Sequence, residues 1–208
     1  MIGGRLIKVC GMREAENILA VDALGVDMIG FIFYSRSPRF VAKLPAMMPK
    51  EAKRVGVFVD ATLEDIGLAV KLYGLDFVQL HGGESPEEVV RVAALGVKTI
   101  KAFAVDAKFD FASTQPYAEV CDLLLFDTKC ASCGGSGRQF DWSLLQRYRG
   151  RVPFLLSGGI GGDNIAQIEA FDHPQLAGYD LNSRFEVDKA LKDVAQIDRF
   201  LSELKCRI

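Results

Sequence analysis

The sequence alternates eight short apolar runs with amphipathic stretches, and this alternation restricts its possible folds more than any other feature. The runs are rich in Val, Ile, Leu and Phe and do not alternate with polar residues, which is typical of parallel strands covered on both faces. We therefore predict parallel strands at Leu6–Cys10, Asp27–Phe33, Arg54–Val59, Asp76–Leu80, Val97–Phe103, Cys121–Asp127, Val152–Leu156 and Gly178–Leu181.

Helical periodicity fills the segments between these strands. Ser85 followed by Pro86 is a typical helix start, and Asp141 before Trp142 is a further N-cap candidate. The periodic segments predict helices over Glu14–Leu24, Leu63–Tyr73, Pro86–Leu95, Trp142–Tyr148, Asn164–Phe171 and Lys189–Leu204. Less regular patterns predict two more, at Pro45–Ala52 and Ser113–Glu119.

Strands that are each followed by a helix predict an α/β fold with a parallel sheet. An open doubly wound sheet and a closed (β/α)₈ TIM barrel both fit this order. The count of eight favours the barrel, as do the polar, Gly-rich residues directly after the strands, where a barrel builds its active site. No linker or repeat interrupts the pattern, so we expect one domain over residues 1–208.

Composition excludes several classes of protein. The chain has 208 residues, half of them apolar, and a formal net charge of -2, whereas a nucleic-acid binder usually has a basic surplus. No run of eighteen apolar residues indicates a membrane span, and the N-terminus does not resemble a signal peptide. Five scattered cysteines without such a signal suggest reduced thiols in a cytoplasmic protein.

Two strand-end residues could form an acid–base pair. Cys10 ends the first strand, and a thiolate there would be a competent base, although a lone cysteine is more often an inert core residue. Asp127 follows four apolar residues at the end of the sixth strand. Partial desolvation there would raise its pKa and suit it to donate a proton, whereas a capping or salt-bridged aspartate is the alternative.

Other strand ends are suited to bind anions. Gly158 and Gly159 follow the seventh strand, and Asp180, Asn182, Ser183 and Arg184 end the eighth. In barrels these two loops commonly bind phosphate through backbone N–H groups. The planar guanidinium of Arg39, after the second strand, would suit a carboxylate, although nearby Arg36 could serve instead.

Three further residue types leave their roles open. Gln79 and His81 end the fourth strand, where His81 could be a supporting donor, a second base or a structural histidine. The Cys130-x-x-Cys133 pair has too few neighbouring ligands for a zinc site and is interpreted as two free thiols in a loop.

Taken together, the motifs resemble those of the phosphoribosylanthranilate isomerase family. Each motif alone is modest, but their joint order and spacing over nearly the whole chain are specific. They lie at Lys8–Arg13, Gly30–Arg39, Val55–Val59, Val78–Gly82, Phe126–Lys129, Gly134–Gly137, Phe140–Trp142, Leu156–Gly159 and Gly178–Asp180.

The resemblance implies an Amadori rearrangement of a phosphorylated sugar substrate in tryptophan biosynthesis, without metal or cofactor. By matching motif, Asp127 is the expected general acid, Cys10 the general base and Arg39 the ligand of the anthranilate carboxylate. Gly158, Gly159 and Asn182–Arg184 correspond to the phosphate site, and Gly135 lies in a loop that covers the substrate. Family members are monomers or homodimers, and no nucleic acid or membrane partner is expected.

One position departs from the family pattern. The phosphate turn usually reads Ser-Ser-Gly-Val-Glu, but here it is Asn182-Ser183-Arg184-Phe185-Glu186. We expect the turn to keep its shape and Arg184 to add a charged contact. Two alternative functions remain: another phosphosugar enzyme, which would usually place Lys, Glu or metal ligands at the strand ends, and a non-catalytic barrel, which would have damaged strand ends.

Overall fold

Eight parallel strands close into a barrel in chain order, and the last strand pairs with the first. The computed structural model describes residues 3–128 and 140–207, with side chains up to residue 205. The closed barrel predicted from the sequence is confirmed, with every strand within two residues of its predicted ends. The strands are β1 Leu6–Cys10, β2 Met28–Ile32, β3 Lys53–Phe58, β4 Phe77–Leu80, β5 Lys98–Val105, β6 Leu123–Thr128, β7 Phe154–Leu156 and β8 Leu176–Leu181.

The α-helices surround the barrel and begin and end at local capping signals. The predicted N-cap Ser85 accepts a bond from the Glu88 N–H, and the Glu88 side chain accepts one from the Ser85 N–H. Gly74 ends the second helix in the left-handed conformation. The helices are α1 Ala15–Asp22, α2 Leu63–Tyr73, α3 Pro86–Ala93, α4 Ile165–Ala170 and α5 Val194–Arg207.

The helix predicted at Pro45–Ala52 is wrong, because this segment has no regular structure. Its backbone donors are bound from outside the segment. The Asp22 carboxylate accepts from the N–H groups of Lys50 at 2.7 Å and Ala52 at 2.8 Å. Pro49 has no N–H to donate to a helical turn, so side-chain capping by α1 replaces local helix formation.

Two other predicted helices are 3-10 helices. The segment predicted at Ser113–Glu119 is a 3-10 helix over Phe111–Tyr117, and its interior residue Pro116 prevents α-helical hydrogen bonding. The segment predicted at Trp142–Tyr148 is a 3-10 helix over Trp142–Arg147. Its N-cap is Asp141, as predicted, and accepts from the Ser143 N–H at 3.0 Å.

The closing helix predicted over Lys189–Leu204 begins later, because a hairpin precedes it. Strands β9 (Glu186–Asp188) and β10 (Leu191–Lys192) pair antiparallel, and Ala190 has the positive φ of 65° that the turn requires. The Asn17 side chain of α1 then bonds both the N–H and the C=O of Lys192, at 2.8 and 2.9 Å. Those bonds hold β10 extended against α1.

Side chains on each strand alternate between the barrel interior and the surrounding helices. The interior cluster consists of Met28, Val55, Phe77, Ile100, Ala102, Leu123, Leu125 and Leu155, with Leu6 and Ala177 packed against it. A larger cluster joins the outer faces of the strands to the helices. The residues two positions beyond the interior cluster therefore face the carboxyl-end mouth. Within the described segments, no helix has the length and apolarity to cross a membrane.

Candidate active site

Strand alternation directs five of the predicted residues toward the interior and mouth of the barrel. Leu123 and Leu125 of β6 face inward, so Asp127 does too. By the same alternation, Leu6, Lys8 and Cys10 of β1 face the barrel interior. So do Phe77 and Gln79 of β4 and His81, which follows that strand. On β8, inward-facing Asp180 accepts a hydrogen bond from the Lys8 ammonium at 2.7 Å.

Cys10 is 3% exposed and lies in a tight charged environment. A Cβ at Gly30 on the neighbouring strand would stand 2.8 Å from the Cys10 sulfur, so glycine there makes room for the thiol. Burial raises the pKa of Cys10, whereas the charges of Lys8 and Lys192 lower it. The position is therefore neither a plain apolar core site nor an exposed thiol.

Asp127 is 8% exposed at the end of β6. Its Oδ1 accepts the Thr128 N–H at 2.8 Å, and its Oδ2 lies 3.7 Å from Nε2 of His81. Burial raises the pKa of this carboxyl, while His81 and the Thr128 hydrogen bond oppose the rise. Such a group holds a proton at higher pH than an exposed aspartate, as a general acid requires.

His81 and Gln79 form a supporting pair on β4. The Gln79 Nε2 amide donates to Nδ1 of His81 at 2.9 Å, so the neutral ring presents its Nε2–H toward Asp127. Burial lowers the pKa of His81, which favours this neutral form. Among the described residues, the buried Oε1 atom of Gln79 has no hydrogen-bond partner.

Gly158, after β7, approaches the acid closely. Its φ is +82°, and a Cβ there would lie 2.2 Å from the Thr128 hydroxyl oxygen and 3.0 Å from Asp127 Oδ1. The backbone of this loop therefore passes beside the carboxyl only because residue 158 has no side chain. The following residue, Gly159, also has a positive φ of 81°.

Arg184 connects the loops that follow β7 and β8. Its guanidinium donates to the Gly159 carbonyl at 3.0 Å and forms an ion pair with Asp163. Asn182 and Ser183 begin the turn, and Ser183–Phe185 forms a short 3-10 helix. The turn thus keeps a helical shape, but the charge of Arg184 is shared with Asp163.

Arg39 is bound to a carboxylate of the protein itself. It is 3% exposed, and its Nε and Nη2 donate to the two oxygens of Glu186, each at 2.7 Å. Lys192 donates to the same carboxylate at 2.9 Å and to the Asn182 side chain at 2.8 Å. Although burial raises it, Arg39 and Lys192 lower the pKa of Glu186 to about 2.

Arg39 also lies next to the candidate base. A Cβ on Gly11 would stand 2.6 Å from the Arg39 Cδ and 3.1 Å from the Asn182 Oδ1. The two cations Arg39 and Lys192 therefore share one carboxylate beside the Cys10–Gly11 turn. With both cations protonated, this group has one positive charge in excess.

The predicted binding residue Gly135 and the Cys130–Cys133 pair lie outside the described residues. No group of three or more His, Cys, Asp or Glu side chains within 3–128 and 140–205 has the arrangement of a metal site.

A family model, that of N-(5'-phosphoribosyl)anthranilate isomerase, matches residues 7–203. The chain belongs to this family. The membership confirms the resemblance carried by the strand-end motifs, and it identifies the chain as an isomerase of tryptophan biosynthesis.

Individual family members are similar over almost the full chain. The N-(5'-phosphoribosyl)anthranilate isomerase of Phocaeicola vulgatus is 46% identical over 203 residues, covering 98% of this chain and 99% of the relative. Monomers generated from the dimeric Thermotoga maritima isomerase superpose with a TM-score of 0.78 and 28% identity, covering 98% and 100% of the two chains. An isomerase in complex with reduced 1-(o-carboxyphenylamino)-1-deoxyribulose 5-phosphate has a TM-score of 0.77 and 30% identity, covering 97% and 99%.

Sequence reasoning missed three charged residues of this isomerase site. Lys8 was given no role, although its place two residues before Cys10 on the same strand puts it on the inward face. Glu186 was noted only as the end of the phosphate turn, and Lys192 received no role because a helix was predicted where β10 lies. The hairpin is held by hydrogen bonds to Asn17, which is 175 residues from Lys192 in sequence, so local sequence patterns could not predict it.

Proposed function

We propose that this chain converts N-(5'-phosphoribosyl)anthranilate to 1-(2-carboxyphenylamino)-1-deoxyribulose 5-phosphate, with Asp127 as general acid and Cys10 as general base. One observation carries this assignment of roles: a buried carboxyl whose pKa is raised and a buried thiol among cations face the same barrel mouth. Both groups come from strand ends, where barrel enzymes position their catalytic side chains.

The reaction needs two proton transfers on a sugar. Asp127 protonates the ribose ring oxygen, which opens the ring and leaves a Schiff base between the sugar C1 and the anthranilate nitrogen. Cys10 then removes the proton from C2 to give an enolamine, which tautomerises to the ketone. An acid held protonated and a base held close to the same substrate supply these steps.

Two anion sites would hold the ends of the substrate. We assign the phosphate to the loops after β7 and β8, with Gly158, Gly159, Asn182, Ser183 and Arg184. We assign the anthranilate carboxylate to Arg39. Glu186 occupies one edge of that guanidinium, and the excess positive charge of the Arg39–Lys192–Glu186 group would balance the incoming carboxylate.

We assign supporting roles to the remaining predicted residues. The Gln79 Oε1 atom, which lacks a partner among the described residues, could accept a hydrogen bond from a ribose hydroxyl, and this would satisfy a buried acceptor. His81 keeps its Nε2–H near Asp127, and Asp180 stays with Lys8. For Gly135 the support is the family motif alone.

The test uses one substitution for each proton-transfer group. Asp127→Asn and Cys10→Ser should each lower kcat by roughly 10²–10⁴-fold, because each removes a general acid or base. The loss of anthranilate fluorescence on adding substrate measures the rate. Cys121→Ser is the matched control, since that half-buried thiol lies away from the mouth, before β6, and this variant should retain full turnover. Near-normal turnover in Asp127→Asn or Cys10→Ser would remove that residue from the mechanism.

We also infer that the chain acts in the cytoplasm as one domain over residues 1–208, as a monomer or homodimer and without nucleic acid. A sequence pI of about 5.8 supports the lack of a nucleic-acid partner. Sedimentation of the purified chain, with and without added DNA, tests its oligomeric state and whether it binds nucleic acid.

A further inference from the structure

A buried lysine lies beside the candidate base and takes no part in the reaction proposed above. Lys8 is 0% exposed within the barrel, and its ammonium donates to Asp180 Oδ1 at 2.7 Å. The other carboxylate oxygen of Asp180 accepts from the Ser157 hydroxyl at 3.1 Å. Burying an ion pair is seldom favourable for stability by itself, so a charged pair at the mouth of a barrel suggests a functional role.

We propose that Lys8 is a positioning residue that keeps Cys10 available as a thiolate, and that Asp180 and Ser157 hold the Lys8 ammonium in place for this task. The inference rests on the proposed role of Cys10. It adds a residue to the mechanism that does not itself exchange a proton with the substrate.

Geometry makes Lys8 the nearest partner for a thiolate. Residues two apart on one strand point to the same face, so Lys8 lies directly below Cys10 inside the barrel. The ammonium is close enough for its charge to lower the pKa of the thiol. Although burial lowers it, Asp180 and Cys10 raise the pKa of Lys8, so the lysine stays charged.

The other charged groups around Cys10 do not replace this contact. Asp180 on β8 raises the pKa of the thiol, and Lys192 on β10 lowers it less than Lys8 does. Lys192 and Arg39, the latter packed against Gly11, are both already bound to Glu186. Lys8 is therefore the cation whose removal should change Cys10 most.

The two pKa shifts have a kinetic consequence. Catalysis requires a Cys10 thiolate and a protonated Asp127 at the same time, and a thiol ordinarily titrates above a carboxyl. Between the two pKa values the active form is then a constant minority, and it falls tenfold for each unit that separates them. Lys8 reduces the difference between the two pKa values by lowering that of Cys10. Burial reduces the same difference by raising the pKa of Asp127.

The experiment is a pH profile of kcat for Lys8→Met. In the native enzyme, kcat should be constant between the two pKa values, because each rise in pH adds Cys10 thiolate and removes protonated Asp127 in equal proportion. Above the pKa of Cys10 no more thiolate forms, so kcat falls as the protonated form of Asp127 continues to decrease. In Lys8→Met this alkaline limb should move to higher pH, and the level region should fall about tenfold for each unit of movement. General damage to the site would lower the level region without moving the limb.

Lys101→Met is the matched control. Lys101 is also a buried lysine paired with a carboxylate, Glu84 at 3.0 Å, but it lies outside the barrel interior. Its removal should leave the alkaline limb in place, whatever it does to stability. Movement of the limb by the same amount in this variant would contradict a specific role for Lys8.

Lys8→Gln gives a second variant if Lys8→Met does not fold, because its amide can still bond to Asp180 Oδ1 but carries no charge. The limb should again move to higher pH, since the cation beside the thiol is lost. Iodoacetamide labelling of the Cys10 peptide, followed by mass spectrometry across pH, reports the thiolate without using activity. An unmoved labelling midpoint in both variants would overturn the inference, whereas full activity in Cys10→Ser would instead overturn the role proposed for Cys10.

Discussion

At the scale of single residues, Gly158 connects backbone conformation to catalysis. Its φ is positive, and only 2.2 Å would separate a Cβ at this position from the Thr128 hydroxyl oxygen, which leaves no room for a side chain. Gly158→Ala should therefore displace the loop from Asp127 and lower kcat by about 10-fold or more, since small misplacements of catalytic groups are costly. Steady-state kinetics measure this effect.

Gly162 supplies the control in the same loop. A Cβ at this position meets nothing within 4 Å, and its φ is not positive. Gly162→Ala should keep kcat near the native value, and thermal unfolding of both variants separates a local effect from a loss of fold. If the two alanine variants have equal kcat values, close approach at Gly158 does not matter for the reaction.

At the scale of elements, the β9–β10 hairpin holds the cations of the carboxylate site. Asn17 of α1 makes two hydrogen bonds to the backbone of Lys192, and this is how the hairpin is attached to the barrel wall. Asn17→Ala leaves a buried N–H and C=O without partners, so the free energy of unfolding should fall by about 1–3 kcal/mol. The KM for substrate should rise as Glu186 and Arg39 lose their positions.

Urea unfolding and steady-state kinetics measure the two effects of Asn17→Ala. Glu16→Ala, at the exposed neighbouring position of α1, is the control and should change neither quantity. Loss of stability with an unchanged KM would mean that the hairpin holds Arg39 without help from α1.

The elements also show which parts of the fold could be predicted from sequence. Apolar runs of the right length predicted all eight strands, and the alternation within β1 and β6 places Cys10 and Asp127 at one mouth. Local periodicity could not reveal that Asp22 binds the backbone at Lys50, or that Asn17 holds Lys192. Both contacts join residues far apart in sequence, and they override the local helical pattern.

The same distinction applies to the site. The strand-end position pointed to Asp127 and Cys10 as the candidate acid and base because barrels use those ends for catalysis. The partners of Arg39 and Arg184 were not predicted, since Glu186 and Asp163 come from other loops. A charged side chain can be identified from sequence, but the neighbour that shares its charge depends on the closed barrel.

At the scale of the whole molecule, the barrel concentrates charged groups in its mouth while an apolar cluster fills the interior below. Desolvation there gives Asp127 its raised pKa and so its capacity to donate a proton. The same desolvation destabilises the folded state once the carboxyl ionises. Activity and stability therefore make opposite demands on this residue.

Asp127→Asn should consequently be more stable than the native chain at neutral pH, even though it loses activity. Because the folded pKa is raised, native stability declines as pH rises from the ordinary value of 3.8 through the folded value, and the deficit persists above it. Asparagine cannot ionise, and its Oδ1 can still accept the Thr128 N–H. Melting temperatures should thus be similar near pH 4 and favour the variant by a few degrees near pH 7. Asp141→Asn is the control: it changes an exposed helix cap whose pKa is lowered by the Ser143 hydrogen bonds, and it should show no such gain. If Asp127→Asn instead melts below the native chain at both pH values, the ionised Asp127 carboxylate is well stabilised by its hydrogen-bond partners.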